Sequence, residues 1–126
     1  PYFYRAKIEA LDAPAQIEPG SAQTLRFRVT NTSRETIEFQ ASRDTGVHLG
    51  ARLLGADGRQ IDELRSGYRD LTLPPGETTE IALEVPPVAV PGRYALRVDL
   101  VDEGVKWFES LGSPPLEVAL EVGSRP

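Results

Sequence analysis

Apolar and polar residues alternate with a period of two along four stretches of the chain. Leu25, Phe27 and Val29 interleave with Arg26, Arg28 and Thr30, and Ile81, Leu83 and Val85 with Glu80, Ala82 and Glu84. Tyr94, Leu96, Val98 and Leu100 alternate with Arg93, Ala95, Arg97 and Asp99, and Leu116, Val118, Leu120 and Val122 with Glu117, Ala119 and Glu121. Successive side chains of a strand point to opposite faces, so this period predicts strands with one face buried. Weaker versions over 4–11, 36–41, 47–54 and 67–73 bring the expected total to seven to nine strands.

Turn dipeptides punctuate these runs: Pro19-Gly20, Asp57-Gly58, Pro75-Gly76 and Pro91-Gly92. Proline presets φ there and glycine accepts positive φ. Asp57-Gly58 signals a hairpin. Asp102-Glu103-Gly104 is expected to return the Tyr94 strand into Val105–Glu109, with the glycine in a left-handed or bulge position. Asn31-Thr32-Ser33 matches a glycosylation acceptor and reads better as the turn that ends a strand. Short strands with turns at this spacing predict an all-β fold, an immunoglobulin-like sandwich of two antiparallel sheets. Pro91-Gly92-Arg93-Tyr94 supports it, because a tyrosine opening the penultimate strand is the tyrosine corner of such folds.

Strand parity then assigns an inward set: Leu25, Phe27, Val29, Leu49, Leu53, Ile81, Leu83, Val85, Tyr94, Leu96, Val98, Leu100, Trp107, Val118 and Leu120. Trp107 is expected inside and Phe108 outside. The outer face of one sheet gathers His48, Arg52, Arg97, Asp99 and Phe108. Tyr68 and Arg69 form a second candidate site. The opposite sheet shows Arg5, Lys7, Glu9, Arg26, Arg28, Glu80 and Glu84, a solvated lattice of cross-strand ion pairs.

Composition narrows what such a face does. The chain has 126 residues, enough for one domain over 1–126 with loose ends at 1–3 and 123–126. It has no cysteine and no methionine and begins at Pro1, as a domain cut from a longer polypeptide would. A net charge of −5 argues against nucleic acid. No apolar run is long enough to span a membrane, and no signal peptide is visible. Arginine far outnumbers lysine, which points to a bacterial source, and the missing cysteines suit the cytoplasm.

Candidate chemistry is sparse. His48 is the only histidine, and neither a serine nor a carboxylate lies near it in sequence to complete a triad. No pair of residues has metal-ligand spacing. Asp102 and Glu103 read as solvated turn residues, and no glycine loop for phosphate is present. No catalytic group, metal or cofactor is therefore expected.

The motif order from Gly20 to Val122 does carry a resemblance. "VTNTS" (Val29–Ser33), "VHLGARLLGADGR" (Val47–Arg59), "LPPGET" (Leu73–Thr78), "PGRYALRVDLVDEGVKWF" (Pro91–Phe108) and "SPPLEV" (Ser113–Val118) are the residues concerned. Together they resemble the immunoglobulin-like accessory domains of bacterial polysaccharide-biosynthesis proteins, similar to the carbohydrate-binding domains of O-antigen ABC transporters. The resemblance implies a non-catalytic module that holds a polysaccharide or lipid-linked glycan beside other domains of its parent protein. Aliphatic Ala51 and Leu53 stand where such domains often carry aromatic residues. The alternative is a structural or protein-interaction sandwich with no glycan ligand, in which Arg97 and Asp99 only solubilise the sheet.

Overall fold

The computed structural model describes residues 3–12 and 16–123. The expected loose ends therefore fall largely outside the described residues. Two sheets pack face to face. The smaller has the order β1-β3-β8: β1 is Ala6–Ala10, β3 Gln23–Asn31 and β8 Thr78–Val85. The larger runs β2 (Gln16–Ile17), β11 (Leu116–Val122), β9 (Gly92–Asp102), β5 (Val47–Leu54), β4 (Ile37–Phe39) and β7 (Leu71–Leu73). On this sheet β6 (Gln60–Ser66) pairs with β5, and β10 (Lys106–Trp107) pairs with β9. Setting aside the two-residue β2 and β10, nine strands remain among the described residues. Pairing is antiparallel except where β2 joins β11 and where Phe39 meets Val47.

Alternation places the core between the sheets. Leu25 pairs with Leu83 and Phe27 with Ile81 on the smaller sheet. Facing them are Val47, Leu49, Ala51 and Leu53 of β5, Leu96, Val98 and Leu100 of β9, and Val118 and Leu120 of β11, all buried. The polar positions between them look outward. Of the charge lattice expected on the smaller sheet, the cross-strand pair Arg26–Glu80 forms; Arg26 also bonds Asp12, and Lys7 makes a looser contact with Glu9 along its own strand. Arg5 lies outside it and donates to the Tyr4 carbonyl.

Of the inward set, Tyr94 is half-buried and donates its hydroxyl to the Val90 carbonyl at 2.6 Å, which makes it a tyrosine corner. Trp107 and Phe108 trade places relative to expectation. The return strand after Gly104 (φ 75°) lasts only for Lys106 and Trp107, opposite Asp102 and Val101. A 3-10 helix over Phe108–Leu111 follows. That turn breaks the alternation and swings Phe108 into the core, fully buried and stacked on Tyr4 with centroids 5.3 Å apart. Trp107 stays on the outer face, half-buried.

The run expected over 67–73 is a strand only at 71–73. Gly67 takes φ 81°, outside strand geometry, and the partner of the Asp57-Gly58 hairpin is β6 at 60–66. Asn31 closes β3 as a turn. Its side chain is fully buried, so it is not a glycan acceptor. Nδ2 donates to the carbonyls of Glu35 (2.7 Å) and Leu73 (2.9 Å), and Oδ1 accepts from the Ser33 amide (2.9 Å) and hydroxyl.

Candidate functional site

The outer face of the larger sheet is built by β5, β9 and β6 side by side. Cross-strand register sets His48 beside Val101, Gly50 beside Asp99 and Arg65, and Arg52 beside Arg97 and Glu63. The sheet thus brings together four of the expected site residues: His48, Arg52, Arg97 and Asp99. Phe108 is absent from it, being inside the core. Trp107 takes its place.

Gly50 is what lets the indole lie down. A Cβ there would meet two Trp107 ring atoms at 2.7 Å, so only glycine leaves room for the ring against the sheet. Arg52 covers the ring at 4.1 Å from its centroid and Arg65 at 4.8 Å. Such guanidinium contacts contribute about 0.5–1 kcal/mol each at an exposed site. Acids then pin the guanidinium groups. Arg65 bonds Glu103 at 2.8 Å and Glu63 at 3.0 Å, while Glu109 of the 3-10 helix reaches Arg52 at 3.7 Å and hydrogen-bonds Arg97. Beside the indole, Arg65, Val101, Asp102, Glu103, Lys106 and Trp107 line a shallow cleft of ≈ 220 Å³. That is below the roughly 300–1,000 Å³ of pockets that enclose a small molecule. The cleft suits a ligand lying along the surface.

Three carboxyls of this face titrate away from their ordinary ranges. Burial pushes Asp99 up to about 6, against the backbone N–H groups of Glu109 and Leu100 that hydrogen-bond its anion. Glu109's charge adds to the rise and Arg52 opposes it. Asp102 also rises, through burial first and the Glu103 charge second. For Glu103 burial works upward too, yet the hydrogen bonds and charges of Arg65 and His48 outweigh it and hold the carboxyl below the usual range.

A folded-state value raised above the unfolded one means that Asp99 favours folding fully below about 4 and loses that contribution as pH rises through about 6. At about 1.4 kcal/mol per pKa unit, stability should fall by roughly 2–3 kcal/mol across that window. Urea unfolding of the parent and of Asp99→Asn at pH values on either side of it checks this. The parent curve should carry a downward component that the variant lacks; matching curves would remove Asp99 as its source.

The second candidate site divides. The Tyr68 ring leans on His48 with centroids 4.5 Å apart, and Arg43 sits over it at 4.5 Å. Arg69 turns away to the smaller sheet, where it bonds the Thr79 hydroxyl and the Glu80 carbonyl. Sequence reasoning also missed Arg65, Glu103 and Glu109. The one local signal was Gly50, since glycine inside a strand marks a close approach.

Fold and face together define an immunoglobulin-like β-sandwich module with one polar, tryptophan-bearing outer face. Among the described residues no helix is long and apolar enough to cross a membrane. Neither a known protein family nor a curated protein matches the sequence. Solved structures do match in fold. A β-glucosidase from Listeria innocua in complex with glucose aligns with 97% of this chain at 13% identity, TM-score 0.61. The Pseudomonas fluorescens alkylpurine DNA glycosylase AlkC, bound to DNA containing an abasic site analogue, aligns with 95% at 15% identity, TM-score 0.63. The C-terminal domain of Wzt aligns with 96% at 16% identity, TM-score 0.63. The chain spans 16% of the glucosidase, 31% of the glycosylase and 75% of the Wzt domain. At these identities the likeness is one of fold.

Proposed function

We propose that this domain is a non-catalytic accessory module of a cytoplasmic bacterial protein of surface-polysaccharide biosynthesis or export, and that it holds a polysaccharide or lipid-linked glycan. The observation that carries this reading is the open cleft at Trp107. There an indole, two cationic side chains (Arg65 and Lys106) and two carboxyls (Asp102 and Glu103) line one shallow surface. Charged planar groups bond sugar hydroxyls in pairs, and here the indole, laid against Gly50 and covered by Arg52, holds such groups in place along the cleft. The fold shared with the Wzt C-terminal domain, most of whose length the chain spans, supports the same reading.

The test is an NMR titration of the domain with the host's own surface polysaccharide, repeated with Trp107→Ala after its folding is confirmed by circular dichroism. Binding should shift resonances around Trp107 and Arg65. The variant should weaken it about tenfold, equivalent to roughly 1.4 kcal/mol. Binding untouched by the variant would move the site elsewhere. No binding to any host glycan would favour a second reading, a protein-docking module. That reading has its own observation: Leu53, Ile61, Tyr94 and the loop 86–90 line an apolar groove of ≈ 460 Å³, with Ile61 and Val90 more than half exposed.

A further inference from the structure

His48 is fully buried, and both of its ring nitrogens point at oxygen. Nδ1 lies 2.9 Å from a Glu103 carboxylate oxygen and Nε2 lies 2.8 Å from the Gln40 main-chain carbonyl. A carbonyl only accepts, and a neutral imidazole has one N–H and one lone pair. Either neutral tautomer would therefore set a lone pair against an oxygen less than 3 Å away. Protonating Glu103 would relieve one end, but the same carboxylate oxygen also takes the Arg65 Nε–H at 2.8 Å, which favours the anion. Only a ring with a proton on each nitrogen satisfies both contacts.

Charges of both signs surround the ring. Glu103 faces the ring from the β9–β10 turn, and Asp102 precedes it. Arg65 approaches from β6, and Arg43 lies beyond the Tyr68 ring that leans on His48. The ring also ties together three parts of the chain. Gln40 follows β4, His48 is in β5, and Glu103 sits in the turn that leads to Trp107. The segment from Gln40 to Gly46 is otherwise tied by the Ala41 amide to Asp70, by the Thr45 hydroxyl to the Gln40 side chain and by the Gly46 carbonyl to the Glu103 amide.

We propose that His48 is a buried imidazolium latch, and that loss of its Nε2 proton as pH rises releases the 40–46 loop from the outer face of the larger sheet. The carboxylate retains the Nδ1–H, so the Gln40 end is the one that opens, leaving a bare nitrogen against the carbonyl. The loop carries Arg43 away from Tyr68 as it leaves. The latch stands independently of the glycan reading, and its test uses no sugar.

The measurement is long-range ¹H–¹⁵N NMR of the His48 ring in the parent chain, from mildly acidic to alkaline pH, with amide exchange of residues 40–46 followed in parallel. Both ring nitrogens should carry protons while the loop is protected. Nε2 should lose its proton first, and loop protection, corrected for intrinsic exchange, should fall about tenfold or more over the same range. In His48→Gln, which cannot titrate, corrected protection should not change with pH. A single neutral tautomer while the loop is still protected, or protection that ignores the ring's titration, would overturn the latch.

Discussion

Replacing Phe108 with alanine should destabilise the protein by about 3–5 kcal/mol, while the same truncation of Trp107 should cost only about 1–2 kcal/mol. The adjacent aromatic residues lie in different surroundings. Phe108 is fully enclosed between the sheets and stacked on Tyr4; its removal loses transfer energy and leaves a cavity that the flanking strands cannot close. Trp107 lies on the outside against Gly50, and its loss uncovers sheet surface and frees Arg52 and Arg65. Urea unfolding of both variants, followed by far-ultraviolet circular dichroism, separates them. A Trp107→Ala loss larger than that of Phe108→Ala would mean that the faces are assigned the wrong way round.

Asn31→Ala should cost about 3–4 kcal/mol, unusual for a polar residue in a turn. Each buried polar group left without a partner costs roughly 1–3 kcal/mol. The substitution strips partners from the Leu73 carbonyl and the Ser33 amide, while the Glu35 carbonyl keeps only the Ser33 hydroxyl. Asn31→Asp keeps the acceptor but sets a carboxylate against two carbonyl oxygens, so at neutral pH it should rescue nothing. Chemical denaturation of both variants is the check. A loss below about 1 kcal/mol for alanine would show that water replaces these bonds without penalty.

Where burial on one face governs, the sequence was legible. β3, β8 and β11 keep strict alternation because one side of each meets the core, β9 keeps it only as far as Val98 before both faces are buried, and parity read their inward residues correctly apart from the half-buried Tyr94. β6 was not legible. It is an edge strand with Leu64 its one buried apolar side chain, so the two-residue period has nothing to mark. Trp107 and Phe108 were misassigned because parity presumes a continuing strand, and the chain leaves strand geometry between them. The outer face was legible in part. Parity alone finds His48, Arg52, Arg97 and Asp99, whereas Arg65, Glu103 and Glu109 come from an unread strand, a turn and a 3-10 helix.

Ser113 has a consequence for the order in which the chain assembles. Its hydroxyl accepts the Ala6 amide hydrogen and donates to the Ala6 carbonyl, both at 3.0 Å, across a separation of 107 residues. Phe108, from the same late segment, fills the core beside Tyr4. On a ribosome, β1 can reach β3 early, but its first residue stays unlatched until the segment after the 3-10 helix has emerged. Closing so long a loop is entropically expensive, and sandwiches rich in such distant pairings fold over milliseconds to seconds. Until then the opening strand is the part most exposed to pairing with a neighbouring chain.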